Sequence, residues 1–180
     1  MVYMMLGTGF EVTEAMVPLV MMRRAGIEVC TVGLSGKTVY GSRDIGIVAD
    51  MELGEMDLTK LEGIVLPGGL GGVASIKASQ PALDAVKFAY ENHKLVAAIC
   101  AGPTILAMLG ITDGKKATCY PGCEEQMGDA VMVPDAAAVT DGNVITGTSA
   151  GCAIPFALQL ITALKGQEAA DAVAQQIVIR

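Results

Sequence analysis

Short apolar runs, most of them closed by glycine-containing sequence and separated by helical patterns, constrain this chain more than any other feature. Val2–Leu6, Ile27–Val32, Gly63–Leu66, Leu95–Ile99 and Val144–Thr146 are too short for helices and rich in β-branched or other apolar residues. Such runs read as strands buried on both faces. Between them lie helical patterns. Glu11–Arg24 ends near Gly26, a suitable C-cap. Pro81–Asn92 carries proline in its first turn and an apolar stripe of Leu83, Val86, Phe88 and Ala89. Ala101–Leu109 follows a strand directly, and Cys152–Leu164 and Gln167–Ile179 close the chain. Pro18 predicts a kink or a late start in the first helix. Strand–helix alternation predicts an α/β fold, a mostly parallel sheet with helices on both faces. Lys37–Val48 departs from this pattern. Thr38–Tyr40 and Ile45–Val48, joined through Gly41-Ser42, read as a hairpin arm projecting from the sheet. A length of 180 residues with no linker or repeat predicts one domain, 1–180.

Composition narrows the chemistry. A net charge of −7 gives no electrostatic reason to bind nucleic acid or an anionic membrane. No stretch reaches the ~18 uninterrupted apolar residues of a membrane span. Met1–Leu6 is a short apolar run with no basic n-region, soon followed by Glu11 and Glu14, unlike a signal peptide, and the 5 cysteines are an odd count. A cytoplasmic location with free thiols is expected. The 1 histidine, His93, removes metal sites built on several histidines. It also leaves at most one candidate for any Ser–His or Cys–His scheme. Its setting, Glu91-Asn92-His93-Lys94 at a helix end, reads as solvated surface.

The strongest local signal is Leu95–Pro103, where a buried strand runs into Cys100, then small residues, then a helix. Small neighbours permit the sharp strand–helix turn that presents a nucleophile. A helix N-terminus behind the sulfur is expected to lower its pKa. A buried structural cysteine would fit the same run. Leu66-Pro67-Gly68-Gly69 also follows a strand, and its glycines let backbone N–H groups approach a developing oxyanion; an ordinary turn is the plainer reading. Gly147-Thr148-Ser149-Ala150-Gly151 matches a serine-hydrolase pattern, but that class needs a later histidine, and His93 precedes Ser149. A strand–helix turn is the better reading. Gly7-Thr8-Gly9 lacks the third glycine of a dinucleotide fingerprint, with Val12 in its place. Cys119 and Cys123 have no second ligand pair, so no metal is expected. Glu11 and Glu14 open the first helix and could meet Cys100 where strand ends converge. They could equally be acids that complement the helix dipole.

Gly9 to Glu14, Met22–Gly26, Ser42-Arg43-Asp44, Leu66–Gly69 and Ala97–Pro103 together resemble the DJ-1/ThiJ/PfpI superfamily, on its DJ-1/YajL-like branch, over essentially the whole chain. The resemblance implies a flavodoxin-like three-layer sandwich of the class I glutamine amidotransferase type, usually a homodimer. It implies that Cys100 is the reactive, oxidation-prone nucleophile and Glu14 a protonated acid beside it. Gly69 and Ala101 match the backbone oxyanion donors, with Gly68, Glu11, Arg43 and Tyr120 around them. Arg43 matches an arginine that serves the partner's site across the dimer. Two departures stand out. Tyr120 occupies the place where many relatives carry histidine before a proline, and Thr146-Gly147-Thr148-Ser149 lacks an arginine expected after the last core strand. Without that histidine, a Cys–His protease or amidase loses its general base. The resemblance therefore implies a cofactor-independent glyoxalase or deglycase acting on small 2-oxoaldehydes or glycated adducts. A cysteine-oxidation sensor or redox-regulated chaperone is the alternative.

Overall fold

The computed structural model describes residues 1–179. The chain begins β1 (Val2–Leu6), α1 (Val12–Arg24), β2 (Val29–Gly33), the hairpin β3 (Thr38–Tyr40) and β4 (Gly46–Val48), then β5 (Met51–Glu52). It continues through β6 (Gly63–Leu66), α2 (Leu70–Lys77), α3 (Gln80–Glu91), β7 (Leu95–Ile99) and α4 (Pro103–Met108). β8 (Lys116–Ala117), β9 (Val131–Met132), β10 (Ala138–Asp141), β11 (Val144–Gly147), α5 (Ala153–Lys165) and α6 (Gln167–Gln176) follow.

Seven strands form one sheet in the order β10-β11-β7-β6-β1-β2-β5. Only β10 runs antiparallel to its neighbour; the other pairs are parallel. Period-2 alternation sorts the side chains to two faces. Val2, Met4 and Leu6 of β1 join the core with α1, α5 and α6, through Leu19, Met22, Phe156, Leu160 and Val173. Tyr3 and Met5 join the opposite core with α2, α3 and α4, through Ile76, Val86 and Ile105. β7 divides the same way: Leu95, Ala97 and Ile99 face one core, Val96 and Ala98 the other. The result is a flavodoxin-like α/β sandwich of three layers. Burying each of Leu6, Ile64 and Phe156, all at 0% exposure, contributes about 1.5–3 kcal/mol.

The central strands lie where the apolar runs place them, and several boundaries move. α1 starts at Val12 and runs through the buried Pro18, so the late start expected there does not occur. Pro18 has no N–H for the Glu14 carbonyl four residues back. α4 is shorter than Ala101–Leu109. α2 is an addition, in a Gly-rich stretch that sequence reads only as a turn. The hairpin arm is present with Val39 opposite Ile47. It docks on the β1–α1 turn: the Gly9 N–H donates to the Tyr40 carbonyl at 2.7 Å and the Ser42 N–H to the Phe10 carbonyl at 2.7 Å. Among the described residues no helix is long and apolar enough to cross a membrane.

Candidate active site

Parallel pairing puts the carboxyl ends of β1, β6, β7 and β11 side by side. The turns that leave them therefore meet at one edge of the sheet, where ligands bind in such folds. Cys100 leaves β7 with φ of 67°, a left-handed backbone that non-glycine residues rarely adopt. The neighbouring backbone fixes it there. The Cys100 N–H donates to the Gly147 carbonyl at 2.9 Å, continuing the β7–β11 ladder, and its carbonyl accepts from the Tyr120 N–H at 2.8 Å. Gly102 closes the turn by donating to the Ile99 carbonyl at 2.9 Å. The N–H groups of Ala101 and Gly69 converge on the sulfur.

Glu14 sits in the first turn of α1 at 1% exposure. Its Oε2 accepts from the Gly68 N–H at 2.8 Å. Its carboxyl also accepts from the Ala150 N–H and lies within hydrogen-bond reach of Cys100. Glu11, the N-cap of α1, accepts from the Ser42 hydroxyl at 2.8 Å and so ties the helix start to the hairpin arm. The next residue of that arm is Arg43.

The electrostatics correct one expectation. Burial first, and the charge of Glu14 second, push the Cys100 thiol up to about 12, against the lowering effect of the Ala101 and Gly69 N–H groups. The helix-end donors alone do not make this thiol acidic. Burial also raises Glu14, and the charge of Glu11 adds to the rise, although bonds to Cys100, Gly68 and Ala150 oppose it. A protonated Glu14 exerts no charge on the sulfur and can donate its O–H to it. A thiolate at Cys100 is therefore favoured only with Glu14 protonated and donating to it.

The cavity over this pair measures about 490 Å³. Glu11, Glu14, Arg43, Gly69, Cys100, Ala101 and Tyr120 all line it. Gly68 is the exception: a Cβ there would stand 2.6 Å from Glu14 Oε2 and 2.7 Å from Cys100 Cβ, so it lies between them. Arg43, on the hairpin arm, lines the pocket of its own chain. Sequence reasoning missed Leu70, Cys123 and the Ser149–Gly151 turn, which complete the lining. The signal for the last was available, since a strand adjacent to β7 must end beside Cys100.

His93 lies elsewhere. It is exposed at the end of α3 and precedes β7, while Cys100 follows it. With a rise of ~3.3 Å per residue, the strand separates the two by roughly 20 Å. Among the described residues no group of three His, Cys, Asp or Glu side chains is placed to hold a metal ion.

The sequence matches the model of the DJ-1/PfpI family over residues 1–163. The chain belongs to the DJ-1/PfpI family. It is 38% identical to Protein dj-1beta of Drosophila melanogaster over 176 residues, covering 97% of this chain and 94% of the relative. It is 36% identical to the Parkinson disease protein 7 homolog of Danio rerio over 179 residues, covering 97% and 95%. The crystal structure of Drosophila melanogaster DJ-1beta superposes with a TM-score of 0.95 at 36% identity, covering 99% of this chain and 97% of that one. Against this DJ-1/PfpI background the exposed Tyr120 side chain, at 49%, supplies no imidazole to Cys100; what joins the two is the Tyr120 backbone N–H.

Proposed function

We propose that this DJ-1-like protein is a cofactor-independent, cysteine-dependent enzyme acting on small 2-oxoaldehydes such as methylglyoxal, free or released from glycated adducts. One observation carries the reading: a buried carboxyl, a thiol and two convergent backbone N–H groups share one cavity whose lining holds no histidine. The Cys100 thiolate attacks the aldehyde carbon, and the Gly69 and Ala101 N–H groups hold the oxygen that gains charge. Glu14 gives its proton to that oxygen. The resulting carboxylate takes the hydrogen from the former aldehyde carbon as a proton and returns it to the neighbouring carbon, while the proton on the first oxygen passes to the ketone oxygen. The product is a 2-hydroxy thioester, which water hydrolyses to the hydroxy acid and free Cys100. The atoms balance without any external oxidant or reductant.

Proteolysis is disfavoured, because no imidazole is present to activate the thiol or protonate a leaving amine. A single domain, a homodimer and a cytoplasmic location belong to the same reading. The homodimer has a candidate face, an apolar groove on α1 lined by Met16, Val17, Val20 and Met21 with Ile154 and Ile177. The test is lactate production from methylglyoxal by the wild type and Cys100→Ser. The wild type is expected to produce it and the variant to lose it by roughly 10²-fold or more. Equal production by both overturns the reading.

A second reading, thiol oxidation with signalling or chaperone consequences, draws on the protonated Glu14, which can donate a charge-assisted hydrogen bond to an oxidised sulfur. A solved relative, Toxoplasma gondii DJ-1, is described as oxidized and is 29% identical.

A further inference from the structure

A second thiol opens onto the cavity that holds the nucleophile. Cys123 and Cys100 both line it, and both are free. The chain between β8 and Cys123 is strapped to the nucleophile's own turn by the Tyr120 N–H, which donates to the Cys100 carbonyl at 2.8 Å. The Cys123 N–H then donates to the Tyr120 carbonyl at 2.9 Å, closing a tight turn that folds Cys123 back toward the pocket. Tyr120, Pro121 and Gly122 in that turn are exposed, and Gly122 has φ of 96°. Cys123 itself is buried at the end of this turn. Cys123 contributes to the core that contains Ala101, and Cys100 packs against the opposite core, so the two thiols approach the cavity from opposite sides. A second free thiol lining the cavity of an oxidisable cysteine is the arrangement of a resolving pair.

We propose that Cys123 is the resolving thiol of Cys100, forming a reversible disulfide across the pocket after Cys100 is oxidised by a hydroperoxide. The proposal rests on the reading that Cys100 is reactive. In the first step the Cys100 thiolate attacks one peroxide oxygen. The S–O bond forms, the O–O bond breaks, and an alcohol or water leaves with the proton. In the second step the Cys123 sulfur attacks the sulfenic sulfur. The S–S bond forms, the S–O bond breaks, and the departing oxygen leaves as water, carrying the proton from the Cys123 thiol. Two thiols and one hydroperoxide give one disulfide, one alcohol and one water. A dithiol reductant returns both sulfurs to the starting state. Closure requires the two Cα atoms to lie within about 7 Å, so the proposal places the approach in the Tyr120–Cys123 turn. Burial and the charge of Glu124 raise the Cys123 thiol, so the second step is slow and competes with further oxidation of Cys100.

The experiment treats the full chain with one equivalent of hydrogen peroxide, followed by non-reducing digestion and peptide mass measurement. Wild type, Cys123→Ser and Cys119→Ser are compared. The wild type and Cys119→Ser are expected to yield a linked Cys100–Cys123 peptide pair, lighter by two hydrogens and restored by dithiothreitol. Cys123→Ser is expected to lose the pair and to accumulate several-fold more sulfinic acid at Cys100. Oxidation of Cys100 with equal sulfinic acid in wild type and Cys123→Ser, and no linked pair, overturns the proposal while leaving Cys100 reactivity intact. A linked pair joining Cys119 to Cys123 overturns it as well. No oxidation at Cys100 overturns it together with the reading on which it rests.

Discussion

The Gly68 N–H holds Oε2 of Glu14 at 2.8 Å while the Gly68 Cα faces Cys100 so closely that any side chain would collide with both. One residue without a side chain thus sets the distance between the carboxyl and the thiol. Gly68→Ala places a methyl 2.6 Å from Glu14 Oε2 and 2.7 Å from Cys100 Cβ. We expect a destabilisation of about 1–3 kcal/mol, as for an overpacked core. Thermal unfolding reads the first effect, and the rate of Cys100 alkylation reads the displacement of the pair. A variant with wild-type values of both would contradict this account.

The hydrogen bond between Glu14 and Cys100 gives a signed prediction. A protonated Glu14 stabilises the thiolate, so Glu14→Leu removes a donor and raises the thiol's apparent pKa. Alkylation by iodoacetamide at neutral pH then slows about tenfold. Were Glu14 ionised, its removal would take away a neighbouring negative charge and speed alkylation instead. The pH profile of the reaction separates the two outcomes.

Stability against pH follows from the same carboxyl. Burial raises Glu14 above its ordinary value of 4.5 in the folded chain. Its contribution is therefore fully present below pH 4.5 and is lost as pH rises through the higher folded value. Denaturant midpoints measured from pH 4 upward should show Glu14→Gln gaining on the wild type and then levelling off. A constant difference between the two across that range would mean that Glu14 titrates normally.

Asp50 gives the opposite sign. Burial alone would raise it, but bonds from the Thr31 N–H and hydroxyl and the Arg23 guanidinium outweigh burial and hold it below its ordinary 3.8. Its contribution is present above pH 3.8 and is lost as pH falls through the lower folded value. Asp50→Asn should therefore lose stability at neutral pH and converge with the wild type in strong acid. Parallel curves would remove Asp50 from the stabilising network that joins β2 to the residue preceding β5.

The apolar groove on α1 is tested by Val20→Asp, since Val20 is 49% exposed in the monomer. A carboxylate buried there without a partner costs about 1–3 kcal/mol, and sedimentation should register a shift toward monomer. An unchanged distribution would place the dimer contact elsewhere.

The central strands were legible because Val2–Leu6, Gly63–Leu66 and Leu95–Ile99 are apolar on both faces, and a buried parallel strand requires that pattern. Cys100 was legible because it directly follows β7, and Glu14 because it opens the helix that follows β1. α2 was not, because Gly71 and Gly72 obscure its helical pattern. Those glycines answer a packing demand: a Cβ on Gly72 would meet Phe10 Cα at 2.7 Å, so α2 can lie against the β1–α1 turn only without side chains there. The two-residue β5 carries too little pattern to recognise. Cys123 reached the pocket through the bond from Tyr120 to Cys100, a contact between segments twenty positions apart that no local pattern encodes. The thiol's ionisation was misread because a helix-end argument counts donors but not the burial and the carboxylate beside them.

The left-handed backbone at Cys100, φ 67°, has an evolutionary consequence. Glycine is at ease in that conformation, and a cysteine held there stores about 1–2 kcal/mol of strain. Selection for heat resistance alone would drift this position toward glycine and yield a sturdier protein with no sulfur in its pocket. Cysteine persisting there would record a selective demand other than folding.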